Sequence, residues 1–104
     1  MRSDREIRRV LRQNLARHGK AVELLKLVEE CGELTQAAAK LTTCGRITED
    51  MVEHLAEEMG DLEICMEQAR MIFPGLRDME ETWIERKVAR LEVRLAEWED
   101  DGRG

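Results

Sequence analysis

Apolar residues recur along the chain at the three- and four-residue spacing of an α-helix, in four blocks set apart by short breaks. The first block predicts a helix over about residues 3–18. Ser3 followed three residues on by Glu6 has the form of a capping box, Ile7, Val10, Leu11 and Leu15 make a narrow apolar stripe, and Gly19 supplies the stop. The second block predicts a helix over about 20–43. Leu24, Leu27, Val28, Cys31, Leu34, Ala38 and Leu41 fall on one side of it, small residues at 37–39 permit close helix approach, and Cys44-Gly45 ends it. Thr48 is the expected N-cap of a third helix. Glu49 and Asp50 sit at its positive end, and Met51, Leu55, Met59, Leu62, Cys65, Met66 and Ala69 are its apolar side as far as about Ile72. Pro74-Gly75 is the firmest break. Beyond it, Asp78 with Glu81 opens a fourth helix reaching about Trp98, with Trp83, Ile84, Val88, Leu91, Leu95 and Trp98 as its core stripe. The acidic tail, residues 99–104, is expected to fray. The fold class expected is therefore all-α. Two long central helices are flanked by one before and one after, in a four-helix bundle-like core within a single domain, 1–104.

Composition narrows the class. The chain has 104 residues, enough for one hydrophobic core and too few for two domains. Charged residues make up 38%, which suits amphipathic helices with solvated outer faces. The net charge of −6 argues against a nucleic acid polymer as partner, because phosphate backbones demand a basic surface. Arg5, Arg8, Arg9, Arg12 and Arg17 make the first helix locally basic, either as a solvated face or as a contact for an acidic neighbour or phosphate in an oligomer. No apolar run approaches a membrane span, and the N-terminus has no apolar signal-peptide core. Cys31, Cys44 and Cys65 are an odd count without zinc-ligand spacing, as in a protein of the reducing cytoplasm.

One stretch departs from this amphipathic order. Glu29, Glu30 and Glu33 place three carboxylates within five residues, and Glu57, Glu58 and Asp61 repeat the pattern 28 residues later. Like charges at i,i+3 and i,i+4 repel along a helix, and carboxylates are expensive to desolvate without a counter-charge. At about 100° per residue, Glu30 and Glu33 lie on the edge of the second helix's apolar stripe while Glu29 turns outward. Glu58 and Asp61 share a face of the third helix, and Glu57 lies almost on it. Two helices bearing such pairs can face each other across a shared cation. Oxygen donors without His or Cys favour Mg²⁺, with Mn²⁺ as its nearest substitute, over zinc. A di-iron bundle calls for Glu-x-x-His, which this sequence lacks. His54, one turn ahead of Glu57 and Glu58, is placed either to orient them or simply at the surface.

These residues permit hydrolysis of a phosphoanhydride. A divalent ion neutralises phosphate oxygens and positions water, and a spare carboxylate takes the proton. On the fourth helix Lys87, Arg90 and Arg94 form a basic line suited to terminal phosphates. There is no P-loop, and no Ser or Cys has a base beside it.

The sequence Glu29-Glu30-x-x-Glu33 followed by Glu57-Glu58-x-x-Asp61, with its surroundings Lys26-Leu27-Val28 and Gly32, Leu34, Ala56, Met59 and Gly60, resembles the EExxE…ExxD signature of the MazG-like all-α nucleoside triphosphate pyrophosphohydrolases. The order of elements and a Lys-x-x-Arg on the last helix are similar too, over roughly residues 20–95. The resemblance implies an oligomeric helical core and Mg²⁺-dependent cleavage of a nucleoside triphosphate to monophosphate and pyrophosphate. It implies Glu30, Glu33, Glu58 and Asp61 as metal ligands, Glu29 and Glu57 as supporting acids, and Lys87 and Arg90 as phosphate contacts. It also implies a homodimer or homotetramer whose site a neighbouring chain completes. Glu63, Glu67 and Glu85 depart from the family's usual pattern. A non-catalytic helical dimerisation or nucleotide-binding module, and a phosphoribosyl-nucleotide pyrophosphohydrolase of similar fold, are the alternatives that share these features.

Overall fold

In a computed structural model of the chain, which describes residues 1–100 and 102, there are four helices and, among the described residues, no strand. Helix α1 spans Asp4–His18, α2 Lys20–Thr43, α3 Glu49–Ile72 and α4 Leu76–Asp100. None is long and apolar enough to cross a membrane.

The helix starts follow the expected chemistry. Ser3 Oγ accepts the Glu6 N–H at 3.2 Å, the N-cap half of a capping box, and donates to Glu6 Oε1 at 3.2 Å, so the Glu6 carboxylate meets the Ser3 hydroxyl. Thr48 Oγ1 accepts the Met51 N–H at 3.3 Å. Gly19 ends α1 and begins α2 at once. Its φ of +88° is a conformation open to glycine, and its N–H closes the last turn on the Leu15 carbonyl at 2.8 Å. Helix α4 begins two residues before Asp78, because Gly75 at φ +89° makes the turn and its carbonyl accepts the Met79 N–H. Asp78 therefore sits in the first turn rather than at the cap. Helix α4 also runs on through Glu99 and Asp100, at the head of the tail expected to fray. Asp101, Arg103 and Gly104 lie outside the described residues.

The chain forms two compact units, Met1–Phe73 and the segment from Pro74 onward. In the first, the short connection 44–48 folds α2 and α3 into an antiparallel hairpin, on which α1 packs. The buried apolar residues are Leu11, Ala37, Cys65, Ala69 and Ile72. The hairpin has a seam of alternating three- and four-residue steps. Along α2 it is Glu23, Leu27, Glu30, Leu34, Ala37 and Leu41, and along α3 it is Met51, His54, Glu58, Asp61, Cys65, Gln68 and Ile72, every one of them buried or half-buried.

This seam corrects the expected stripes. Val28, Cys31 and Ala38 on α2 and Met59 on α3, all expected inside, are exposed, Val28 at 66%. The buried arc of α2 is turned toward the column Glu23, Glu30 and Ala37, next to the more apolar column Leu24, Cys31 and Ala38. On α1, Leu11 is buried and Leu15 half-buried, while Ile7, Val10 and all five of the arginines singled out above are exposed. In the second unit, none of the expected core stripe of α4 is buried.

Polar side chains draw α2 inward at one end of the seam. The Asn14 amide donates to Glu23 Oε1 at 3.1 Å and to Gln68 Oε1 at 2.8 Å, and Gln68 Nε2 donates to the Leu11 carbonyl at 3.1 Å. Lys26 Nζ lies 3.8 Å from Glu23 Oε1. Gln68 is fully buried and Glu23 is 3% exposed, so this knot joins three helices where water cannot substitute for a missing partner. Replacing Gln68 with Ala should destabilise the protein by about 2–4 kcal/mol, since it opens a cavity and strands the Asn14 amide and the Leu11 carbonyl. Urea unfolding of the two proteins measures this, and a loss within about 0.5 kcal/mol would show that the knot is not a determinant of the fold.

Candidate metal centre

Seven residues along the seam from the Glu23–Gln68 knot, counted on either helix, the hairpin brings Glu30 of α2 against Glu58 and Asp61 of α3. One carboxylate oxygen from each lies within 4.8 Å of the other two. Glu58 is buried and Glu30 and Asp61 are half-buried. His54, one turn before Glu58, places Nε2 3.2 Å from Glu58 Oε1. The other Glu58 oxygen and one oxygen of Glu30, Oε2 in each case, are buried without a hydrogen-bond partner.

Electrostatics follow from this geometry. The Glu30 carboxyl is pushed above its ordinary range, first by desolvation, then by the charges of Asp61, Glu58 and Glu33, and by a hydrogen bond to Glu58. One seam step away, burial raises the Cys65 thiol, and Glu30, Glu23 and Asp61 add to the effect against a smaller opposing pull from Lys26. Cys65 is thereby kept as an inert, protonated core thiol. All three cysteines are free, and Cys31 is exposed.

The donor set is suited to a hard cation. Three carboxylate oxygens within 4.8 Å of one another are near enough to share one hard cation, and such an ion would give the orphaned Glu30 and Glu58 oxygens a partner.

Of the four ligands expected from sequence, Glu30, Glu58 and Asp61 converge. Glu33 is exposed and outside the trio, although its charge reaches Glu30. Glu29 and Glu57 are exposed at the outer edges of their helices. Lys87, Arg90 and Arg94 belong to the other unit, where together with Leu91 they line a shallow depression on α4. Arg86 and Lys87 stand 5.1 and 5.9 Å from the centre of the Trp83 ring. A larger depression, lined by Asp78, Glu81, Thr82, Glu85 and Arg86, holds none of the candidate ligands. The departures Glu63 and Glu67 are answered locally, Glu67 by Arg70 at 3.1 Å and Glu63 by the same guanidinium at 4.0 Å. Sequence reasoning missed Asn14, Glu23 and Gln68. Their one signal was polar residues seven apart along a helix, Glu23 with Glu30 and Asp61 with Gln68.

The chain matches no family model, no curated protein and no solved structure.

The raised Glu30 carboxyl has a definite sign in stability. Its ionisation costs folding free energy, a cost absent below the ordinary carboxylate pKa and fully present above the raised one. With chelator present, wild type should lose stability as pH rises through that interval. Glu30→Gln should be the more stable protein at neutral pH, and its advantage should vanish in acid. Thermal melts of both proteins from about pH 4 to 8 give the comparison. A variant less stable than wild type at pH 7 would mean that Glu30 is paired, not crowded.

Proposed function

We propose that this protein is a divalent-metal-dependent nucleoside triphosphate pyrophosphohydrolase of the MazG-like all-α kind, acting as a homo-oligomer. The observation that carries the proposal is the convergence of Glu30, Glu58 and Asp61 in the seam, with two buried carboxylate oxygens unpartnered. The sequence signature Glu29-Glu30-x-x-Glu33 and Glu57-Glu58-x-x-Asp61 supports the same conclusion independently.

Glu30, Glu58 and Asp61 would hold the ion, with Glu33 at the exposed rim. Mg²⁺, or Mn²⁺ in its place, supplies neutralisation of phosphate charge and positioning of water when bound. His54 holds one oxygen of Glu58, and the other is buried without a partner. Glu29 and Glu57 stand exposed outside the trio and are, in this reading, the spare carboxylates for the proton released as water attacks. The α–β phosphoanhydride breaks, and the products are a nucleoside monophosphate and pyrophosphate. The basic line of α4, Arg90 between Lys87 and Arg94, is the part of the chain suited to the triphosphate oxygens.

The direct test is pyrophosphate release from each common nucleoside triphosphate with Mg²⁺. Glu58→Gln and Asp61→Asn should each lower kcat/KM at least ~100-fold while circular dichroism stays helical. Folded wild-type protein that turns over no nucleotide and shows no Mg²⁺-dependent rise in melting temperature would exclude the enzyme. A rise without turnover would identify a binding module built on the same carboxylates.

A further inference from the structure

Helix α4 has 25 residues and none of them is buried. Its apolar residues Ile84, Val88, Leu91, Leu95 and Trp98 nevertheless follow steps of four, three, four and three, all of them 45–55% exposed. These are the d and a positions of a coiled coil, with Ile84, Leu91 and Trp98 at d and Val88 and Leu95 at a. A seam of this kind in a helix without tertiary burial is the part of the molecule most in need of a partner, since isolated helices draw little stability from propensity alone.

The flanking charges say which partner. With the seam so placed, the e positions are Asp78, Glu85, Glu92 and Glu99, all acidic, while the g positions beside the seam are Lys87 and Arg94. In a parallel pair, g of one helix faces e of the next heptad on the other, so Lys87 meets the second copy's Glu92 and Arg94 meets its Glu99. Two-fold symmetry doubles both pairs. An antiparallel pair sets e against e and g against g, acid on acid and base on base, which is unfavourable. Glu80 at g and Glu81 at a lie before Ile84, where like charges facing across the axis would splay the helices. The seam is thus confined to residues 84–99.

We propose that α4 is a dimerisation helix that pairs in parallel and in register with α4 of a second copy of this chain, with Ile84, Val88, Leu91, Leu95 and Trp98 as its seam and Lys87 and Arg94 as its orientation-setting cations. This goes beyond the pyrophosphohydrolase assignment and stands without it. It also narrows that assignment: Lys87 and Arg94 turn to the partner, and Arg90, at the outward c position, is left as the cation of the row that faces solvent and ligand.

The test uses the full chain carrying Cys31→Ser and Cys44→Ser, with either Leu91→Cys at the seam or Val93→Cys at the outward f position. In a parallel, in-register pair the two copies of position 91 meet at the axis. Mild oxidation should therefore give a covalent dimer from Leu91→Cys roughly tenfold faster than from Val93→Cys. Equal rates, or no dimer, would overturn the proposal. Since Leu91→Cys alters the seam itself, charge variants give a second readout. Lys87→Glu with Arg94→Glu should raise the dimer dissociation constant roughly tenfold or more at low salt, and adding Glu92→Lys with Glu99→Lys should restore it. Light scattering that finds wild type monomeric, or a dimer indifferent to the first pair of changes, would overturn the proposal. Loss of nucleotide turnover with the dimer intact would bear on the catalytic assignment alone.

Discussion

Everything in the hairpin turns on three carboxylates placed where a helical seam ordinarily puts leucine. A buried leucine at such a position contributes roughly 1.5–3 kcal/mol. Glu30, Glu58 and Asp61 forgo that gain and add mutual repulsion, which appears as the raised Glu30 carboxyl and the two unpartnered oxygens. The surrounding scaffold has to tolerate this. Its buried apolar core is thin, made of Leu11, Ala37, Cys65, Ala69 and Ile72, three of them small side chains.

The same seam contains its own control. One heptad along, Glu23 is buried more deeply than Glu30, yet it is answered by the Asn14 amide and the Lys26 ammonium. Gln68, one heptad from Asp61, is fully buried with both ends of its amide occupied. Burial of a polar group is therefore not what separates the two clusters. The protein supplies amide and ammonium donors to one, and to the other the His54 ring and the contact of Glu30 with Glu58, which leave two buried oxygens without a partner. A fully satisfied network fixes structure, whereas a half-satisfied one is costly unless something outside the chain completes it. That difference singles out Glu30, Glu58 and Asp61 as the candidate site and Glu23, Asn14 and Gln68 as a fastening.

How far the sequence carried can be judged from particular residues. Helix ends were legible where one residue determines them: Ser3 and Thr48 by their hydroxyls, Gly19 by its positive φ. Convergence of Glu30, Glu58 and Asp61 was legible from their place at the edges of apolar stripes. The exposure of Glu33 was not, since three residues beyond Glu30 the helix has already turned about 60° further from the seam. The centre of the α2 stripe was misplaced because Leu24, Cys31 and Ala38 are the more apolar column, and only tertiary partners could draw Glu23 and Glu30 inward past them. Those partners were invisible to periodicity, with Asn14 lying nine residues from Glu23 and 54 from Gln68. On α4 the apolar stripe was legible, but a stripe does not state which chain covers it.

The two seams of this chain stand in opposite electrostatic order. In the α2–α3 hairpin the carboxylates of Glu23, Glu30, Glu58 and Asp61 lie in the seam, while many apolar residues, among them Val28, Val52 and Met59, are outside. On α4 the apolar residues form one line and the charges flank it in a pattern with a sense of direction. The first arrangement weakens the isolated fold, and the cation proposed above would offset that cost. The second adds little to the isolated fold, and the proposed pairing with a second copy would cover it. Both gains come through mass action, because whatever binds the folded state and not the unfolded one stabilises it by an amount set by its concentration over its dissociation constant. With the metal site and the α4 pairing both as proposed, the stability of this protein would be a property of its occupied, assembled state, and the carboxylates of the hairpin would be tolerable because that state, rather than the single bare chain, is the one that folding serves.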